Sequence, residues 1–231
     1  MGYSGNKREE CDKIYNFLDF NDIDTIIEPF CGSCAMSYYI STKKPNLKYI
    51  FNDNNEFLKE MYEIILDEEK LVNFENEYNN LLIDLNKEKY LEIIKKNNLI
   101  GWFMKNFIYT IRPGLYPLED TKNKGKKKLL FRERPIFNFF RENSKNIEFY
   151  NKDGIEIFEK HKNLNNCLIL LDPPYLQLCN NFYLKPDTNI YEYLFNNNIL
   201  ENKSKIYLIL EDTWVNKLLF KNCYYINYKK L

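Results

Sequence analysis

The chain has 231 residues, 45% of them hydrophobic, which is enough for one large domain, or a domain carrying an insertion, around a real core. Lys and Arg number 33 against 33 for Asp and Glu, so overall charge neither favours nor excludes an anionic partner, and only local clustering can point to one. The amino terminus lacks an apolar leader, no later stretch has the apolar length of a membrane span, and the 6 cysteines (Cys11, Cys31, Cys34, Cys167, Cys179 and Cys223) are scattered, which reads as a soluble cytoplasmic protein with reduced thiols and no disulfide framework.

In chain order, Thr25-Ile-Ile-Glu-Pro-Phe30 reads as a short buried strand, Cys31-Gly-Ser-Cys34 as a small-residue loop and Ala35-Met-Ser-Tyr-Tyr-Ile40 as a helix. Leu47-Lys-Tyr-Ile-Phe51 is a second strand, ending in Asn52-Asp-Asn-Asn55. Strand, loop, helix and strand make a βαβ unit, whose crossover implies a parallel, doubly wound α/β sheet. From Glu56 to about Ile111 the apolar spacing becomes helical, with Leu58, Met61, Tyr62, Ile65 and Leu66 on one stripe. A loop-like stretch follows, in which positive charge concentrates at Lys122, Lys124, Lys126, Lys127 and Lys128, with Arg132, Arg134 and Arg141 close behind. Strands resume at Ile147-Tyr150, Cys167-Leu171 and Lys205-Leu210, with Cys223-Tyr228 as a sixth. The expected organisation is a core of residues 1–55 and 145–231 interrupted by a helical and basic insertion at 56–144. His161, flanked by Lys160 and Lys162, reads as a surface residue.

The most informative stretch is Leu168-Ile-Leu-Leu-Asp-Pro-Pro-Tyr175. Its apolar run without alternation suits a strand buried on both faces, and the two prolines end the ladder. Ligands of open α/β sheets bind at that carboxyl edge. Asp172 can accept hydrogen bonds there, Pro173 and Pro174 hold a carbonyl rigidly, and Tyr175 offers a ring face. That combination describes a pocket for an amino group on a planar ring. Gly32, in the turn after the first strand, lets backbone amides approach a ligand, and Asp53, closing the second strand, can accept ribose hydroxyls.

The order Tyr3-Ser-Gly-Asn-Lys7, Glu28-Pro-Phe-Cys-Gly-Ser-Cys34, Asn52-Asp-Asn-Asn55 and Asp172-Pro-Pro-Tyr175 resembles the Dam-type adenine-specific DNA methyltransferases of bacteria, phages and large DNA viruses. The resemblance spans nearly the whole chain. It implies a Rossmann-like methyltransferase fold, S-adenosylmethionine as cofactor, adenine N6 of double-stranded DNA as substrate, and no metal. It makes Tyr3, Lys7, Glu28, Phe30, Gly32, Asp53 and Asp172 the cofactor site, with Asp153, just beyond the Ile147-Tyr150 strand, facing the cofactor's adenine. Asp172, Pro173, Pro174 and Tyr175 become the catalytic group, acting on a flipped base. The family's target-recognition region falls where the insertion does, so Arg112, Lys124, Lys126, Lys127, Lys128, Arg132 and Arg134 become DNA contacts. A monomer or weak dimer is expected, with a partner restriction nuclease left open.

Three departures from the family pattern stand out. Cys34 replaces the second glycine of the loop, putting a side chain where backbone closes on the cofactor, and Asn6 replaces a glycine of the amino-terminal segment. The sequence ends soon after the expected sixth strand, where the family's fold usually inserts a seventh, which implies an exposed sheet edge or a truncated chain. These motivate a second reading, a catalytically weakened homologue serving as a DNA-binding or scaffold subunit. Cys31-Gly-Ser-Cys34 before a helix also matches a thioredoxin-like redox pair, in which a helix amino terminus lowers a thiol pKa, and a planar amine on RNA or protein would suit the same pocket.

Overall fold

The computed structural model describes residues 7–107, 131, 134–174, 189–197 and 202–226. Five strands, β1 (Thr25–Glu28), β2 (Lys48–Asn52), β3 (Ile147–Tyr150), β4 (Cys167–Leu171) and β5 (Lys205–Leu208), form one sheet in the order β3-β2-β1-β4-β5. Every pairing is parallel, with Thr25 beside both Lys48 and Cys167. The central strands β1 and β4 are buried at every position: β4 is an unbroken apolar run, as suits a strand covered on both faces, while β1 buries Thr25 and Glu28 along with its two isoleucines. The expected doubly wound, Rossmann-like α/β fold is therefore present.

Among the described residues there are ten α-helices: α1 (Cys11–Tyr15), α2 (Ala35–Ser41), α3 (Glu56–Leu66), α4 (Glu68–Leu81), α5 (Lys87–Lys95), α6 (Leu99–Phe107), α7 (Pro135–Glu142), α8 (Gly154–His161), α9 (Asn189–Asn196) and α10 (Trp214–Leu219). The chain divides into two compact units, one taking in Asn55–Ser144 and the other Lys7–Asn54 with Lys145–Leu231.

In the sheet unit, Ile27, Ile169 and Leu171 project to one face and pack with Ile157 and Phe158 of α8, Ile190, Tyr191 and Leu194 of α9, and Phe220. Alternation sends Ile26, Leu168 and Leu170 to the other face, where they are equally buried. Burying such a side chain contributes roughly 1.5–3 kcal/mol.

In the helical unit three successive helices start on side-chain caps. Asn55 accepts from the Phe57 amide at 3.1 Å, Asp67 from Lys70 at 3.0 Å and Asn86 from Lys89 at 2.9 Å, which starts α3, α4 and α5 where the polar residues interrupt the apolar stripes. Phe74, Tyr78, Phe103, Phe131 and Phe137 form its aromatic core, and Arg141 donates to the Ile65 carbonyl at 3.2 Å. The helical block expected from Glu56 is present as four helices as far as Phe107. Residues 108–111 and the loop-like stretch after them lie outside the described residues.

Two expectations are corrected. His161 is not on the surface: it is 4% exposed, with Nδ1 2.8 Å from the Ile157 carbonyl. It continues the buried stripe Gly154, Ile157, Phe158 of α8 at helical spacing, and only its lysine neighbours face outward. The segment Cys223–Ile226 is not a strand. Tyr225 instead turns its hydroxyl to the carbonyls of Asn216 and Lys217 in α10, both at 3.3 Å. Asn227 and Tyr228 lie outside the described residues.

Candidate functional site

β1 sits between β2 and β4, and the chain winds outward from it in both directions, so the carboxyl ends of these three strands border the switch point where such sheets bind ligands. Each of those ends carries an acid: Glu28 closes β1, Asp53 follows β2 and Asp172 follows β4.

Asp172 is held by Lys7, whose ammonium lies 2.6 Å from Oδ2. Lys7 is only 7% exposed, and reaches the site from the segment leading into α1. Pro173 is buried, and the Pro174 carbonyl accepts a hydrogen bond from the Tyr191 hydroxyl at 3.1 Å, which ties the strand end to α9. Tyr175 lies outside the described residues, as do Tyr3, Arg112, Lys124, Lys126, Lys127, Lys128 and Arg132. Arg134 is exposed at the start of α7 in the helical unit.

After β1 the chain makes a tight loop. Gly32 has φ 48° and Cys34 φ 53°, both left-handed. The Gly32 amide donates to Asp53 Oδ2 at 3.0 Å, the Cys31 amide to the Asn52 carbonyl at 2.8 Å and the Cys34 amide to the Cys31 carbonyl at 2.7 Å. Asn52 is fully buried and stitches three segments together. Its amide nitrogen donates to the Pro29 and Lys152 carbonyls at 2.9 and 3.0 Å, and its oxygen accepts from the Lys152 amide at 2.9 Å. The ring of Phe30 lies against Gly154, where an added Cβ would come within 2.4 Å of it. Asp153 caps α8 by accepting from the Ile155 amide at 2.7 Å and is exposed.

Glu28 is buried and accepts from both the amide and the hydroxyl of Ser37. Burial pushes its carboxyl up to about 7, against the Ser37 hydrogen bonds, with Asp172 raising it further and Lys7 lowering it. Lys7, Glu28 and Asp172 therefore form one electrostatic cluster, and Gly32 and Asp53 a second, along the same sheet edge. Sequence reasoning did not single out Ser37, Gly154 or Tyr191, and it used Asn52 only as a neighbour of Asp53. A polar residue ending an apolar strand was the one signal available for Asn52.

The redox reading of Cys31 and Cys34 is overturned. Both thiols are buried, and that burial is the largest cause pushing each upward. Neighbouring Glu28 and Asp53 add to the shift, the reverse of the lowered thiol a redox pair needs. Cys34 is 1% exposed, so its side chain is taken up by the interior. Among the described residues no cluster of His, Cys, Asp and Glu could hold a metal ion, and no helix is long and apolar enough to cross a membrane.

Residues 3–224 match the model of a known family, the D12 class N6 adenine-specific DNA methyltransferases, while a comparison with curated proteins found no match. Because the match covers nearly the whole chain, and the acids it spans converge on one edge of a parallel sheet, this protein belongs to the D12 class of N6 adenine-specific DNA methyltransferases, enzymes that methylate adenine in DNA.

Proposed function

We propose that the edge formed by β1, β2 and β4 binds S-adenosylmethionine beside an adenine extruded from double-stranded DNA, and that Asp172 and the Pro173 carbonyl act on its N6 amine. The observation that carries this reading is the Lys7–Asp172 ion pair, which holds a hydrogen-bond acceptor in place at the end of β4 beside the Pro173 carbonyl. The donor set fits the cofactor. Gly32 offers backbone without a side chain, and Asp53 offers a carboxylate to a ribose diol.

When bound, the cofactor supplies an electrophilic methyl group. The chain's own residues prepare the amine for it. Adenine N6 is a poor nucleophile because its lone pair is delocalised into the ring. Hydrogen bonds from its two protons to the Asp172 carboxylate and the Pro173 carbonyl favour a pyramidal nitrogen with a localised pair. Lys7 pairs with Asp172 and aims it, and Tyr191, through the Pro174 carbonyl, restrains the backbone that follows. Extruding the base costs a few kcal/mol, which Tyr175 offsets by stacking. Arg112, Lys124, Lys126, Lys127, Lys128, Arg132 and Arg134 bind phosphates and give affinity that falls with salt.

The test is transfer of labelled methyl from S-adenosylmethionine to adenine in duplex DNA, beside single-stranded DNA and RNA of the same sequence. Label on duplex adenine, reduced about a thousandfold in Asp172→Ala, supports the reading. Equal transfer by the variant, or label only on RNA, overturns it.

A further inference from the structure

Helix α2 starts without a cap of its own. Cys34 occupies the N-cap position in the left-handed region, and its side chain makes no capping hydrogen bond. The first amides of a helix have no intrahelical partner, and an extended Ser, Thr, Asp or Asn usually serves one of them. Here the acceptor comes from the sheet. Glu28 Oε1 takes the Ser37 amide at 3.0 Å, and the Ser37 hydroxyl as well. Ser37 is the third residue of α2, the position whose amide an N-cap side chain normally serves.

Glu28 and Ser37 bracket the loop. Between them lie two left-handed residues, and a non-glycine residue in that region carries a cost of roughly 1–2 kcal/mol. Cys34 bears that cost in this chain, so something outside the loop has to hold it. Both hydrogen bonds from Ser37 land on one carboxylate oxygen of a residue 5% exposed.

We infer that Glu28 is a positioning residue: by capping α2 from the end of β1 it holds the left-handed Gly32–Cys34 turn in place for the cofactor without touching the cofactor. This rests on the cofactor reading proposed above. Its carboxyl, held up near neutrality by burial, fits a group turned inward on protein donors.

Three variants separate the possibilities. Glu28→Gln keeps an oxygen that accepts from Ser37, Glu28→Ala removes it, and Ser37→Ala removes one donor. The expected dissociation constant for S-adenosylmethionine rises about tenfold in Glu28→Ala and several-fold in Ser37→Ala, stays within about threefold in Glu28→Gln, and is no worse in the double alanine variant than in Glu28→Ala. If Glu28→Gln is as damaging as Glu28→Ala while Ser37→Ala is neutral, Glu28 touches the cofactor and the inference falls.

Amide hydrogen exchange in the ligand-free chain gives an answer that needs no cofactor. The Ser37 amide should exchange at least about tenfold faster in Glu28→Ala and unchanged in Glu28→Gln. Unchanged exchange in Glu28→Ala overturns the inference. A wild-type chain that binds no S-adenosylmethionine refutes the cofactor reading instead, and leaves the exchange result to decide the role of Glu28. Should Glu28→Ala fail to fold, Ser37→Ala against Glu28→Gln makes the same comparison.

Discussion

Lys7 Nζ stands 2.6 Å from Asp172 Oδ2, joining residues 165 positions apart in the chain into one ion pair at the end of β4. The pair is largely withdrawn from water, where removing one partner strands the other's charge. In the proposed mechanism Asp172 is an acceptor for the adenine amine, so the pair would link the amino-terminal segment to the chemistry.

Lys7→Met should therefore lower the single-turnover rate by about 10- to 100-fold, with a smaller effect on cofactor affinity. Rapid-quench methyl transfer together with a cofactor titration checks it. A variant that melts earlier yet transfers methyl at the wild-type rate would make the pair purely structural.

Glu28 should make stability depend on pH. Its carboxyl is raised in the fold to about 7, so between the ordinary glutamate value and about 7 the folded chain holds a proton that the unfolded chain has released. The stabilisation is complete below that window and is lost as pH rises through it, on the order of 3 kcal/mol in all. The groups facing Glu28 are Asp172, which raises it, Lys7, which lowers it, and Cys11, Cys31, Cys34 and Tyr49, all pushed upward and hence neutral across the window. Denaturant unfolding of wild type and Glu28→Gln at a series of pH values isolates the effect: the variant should be flat where wild type declines.

Asn52 offers a test of how the loop after β1 is anchored. Asn52→Asp keeps the volume but cannot donate to the Pro29 and Lys152 carbonyls, and it buries a charge beside them. It should cost about 2–4 kcal/mol in urea unfolding and at least as much as Asn52→Ala, which leaves the same acceptors unpaired. A harmless Asn52→Asp would mean that water or a shifted backbone replaces these bonds.

What the sequence made legible was carried by local pattern. β4 is an unbroken apolar run, and Asp172 at its end, with Asp53, could be placed at a sheet edge from local pattern, whereas Glu28 came only with the family resemblance. The cap from Glu28 to Ser37 and the Asn52 stitch to Lys152 could not, because both join residues with no periodic relation, and they exist only once the strands are registered. His161 was misplaced because its lysine neighbours were weighed above the helical spacing from Ile157 and Phe158. Cys223–Tyr228 looked like a strand from its aromatic and β-branched content, yet Tyr225 is tied by its hydroxyl to the Asn216 and Lys217 carbonyls of α10 rather than into the sheet.

Cys31 and Cys34 should resist alkylation. Burial raises both thiols, so at pH 8 in the native chain iodoacetamide should modify them at least about 100-fold more slowly than after unfolding. Peptide mapping by mass spectrometry reads the two sites separately. Rapid native modification of either would reopen the redox interpretation.

Gly154→Ala isolates Phe30. The added methyl would lie 2.4 Å from Cε1 and Cζ of the Phe30 ring, so the ring has to move, and because its far edge is the part that clashes, stability should change by less than about 1 kcal/mol. Phe30 sits in the loop between Glu28 and Gly32, and if its ring borders the cofactor, affinity for S-adenosylmethionine should fall about fivefold at unchanged stability. The decisive comparison is the same substitution in a Phe30→Ala background, where no ring remains to be displaced. There Gly154→Ala should cost nothing further, since two changes acting through one side chain are not additive. An equal loss in both backgrounds would show that Gly154 acts on the start of α8 and Asp153 rather than through Phe30.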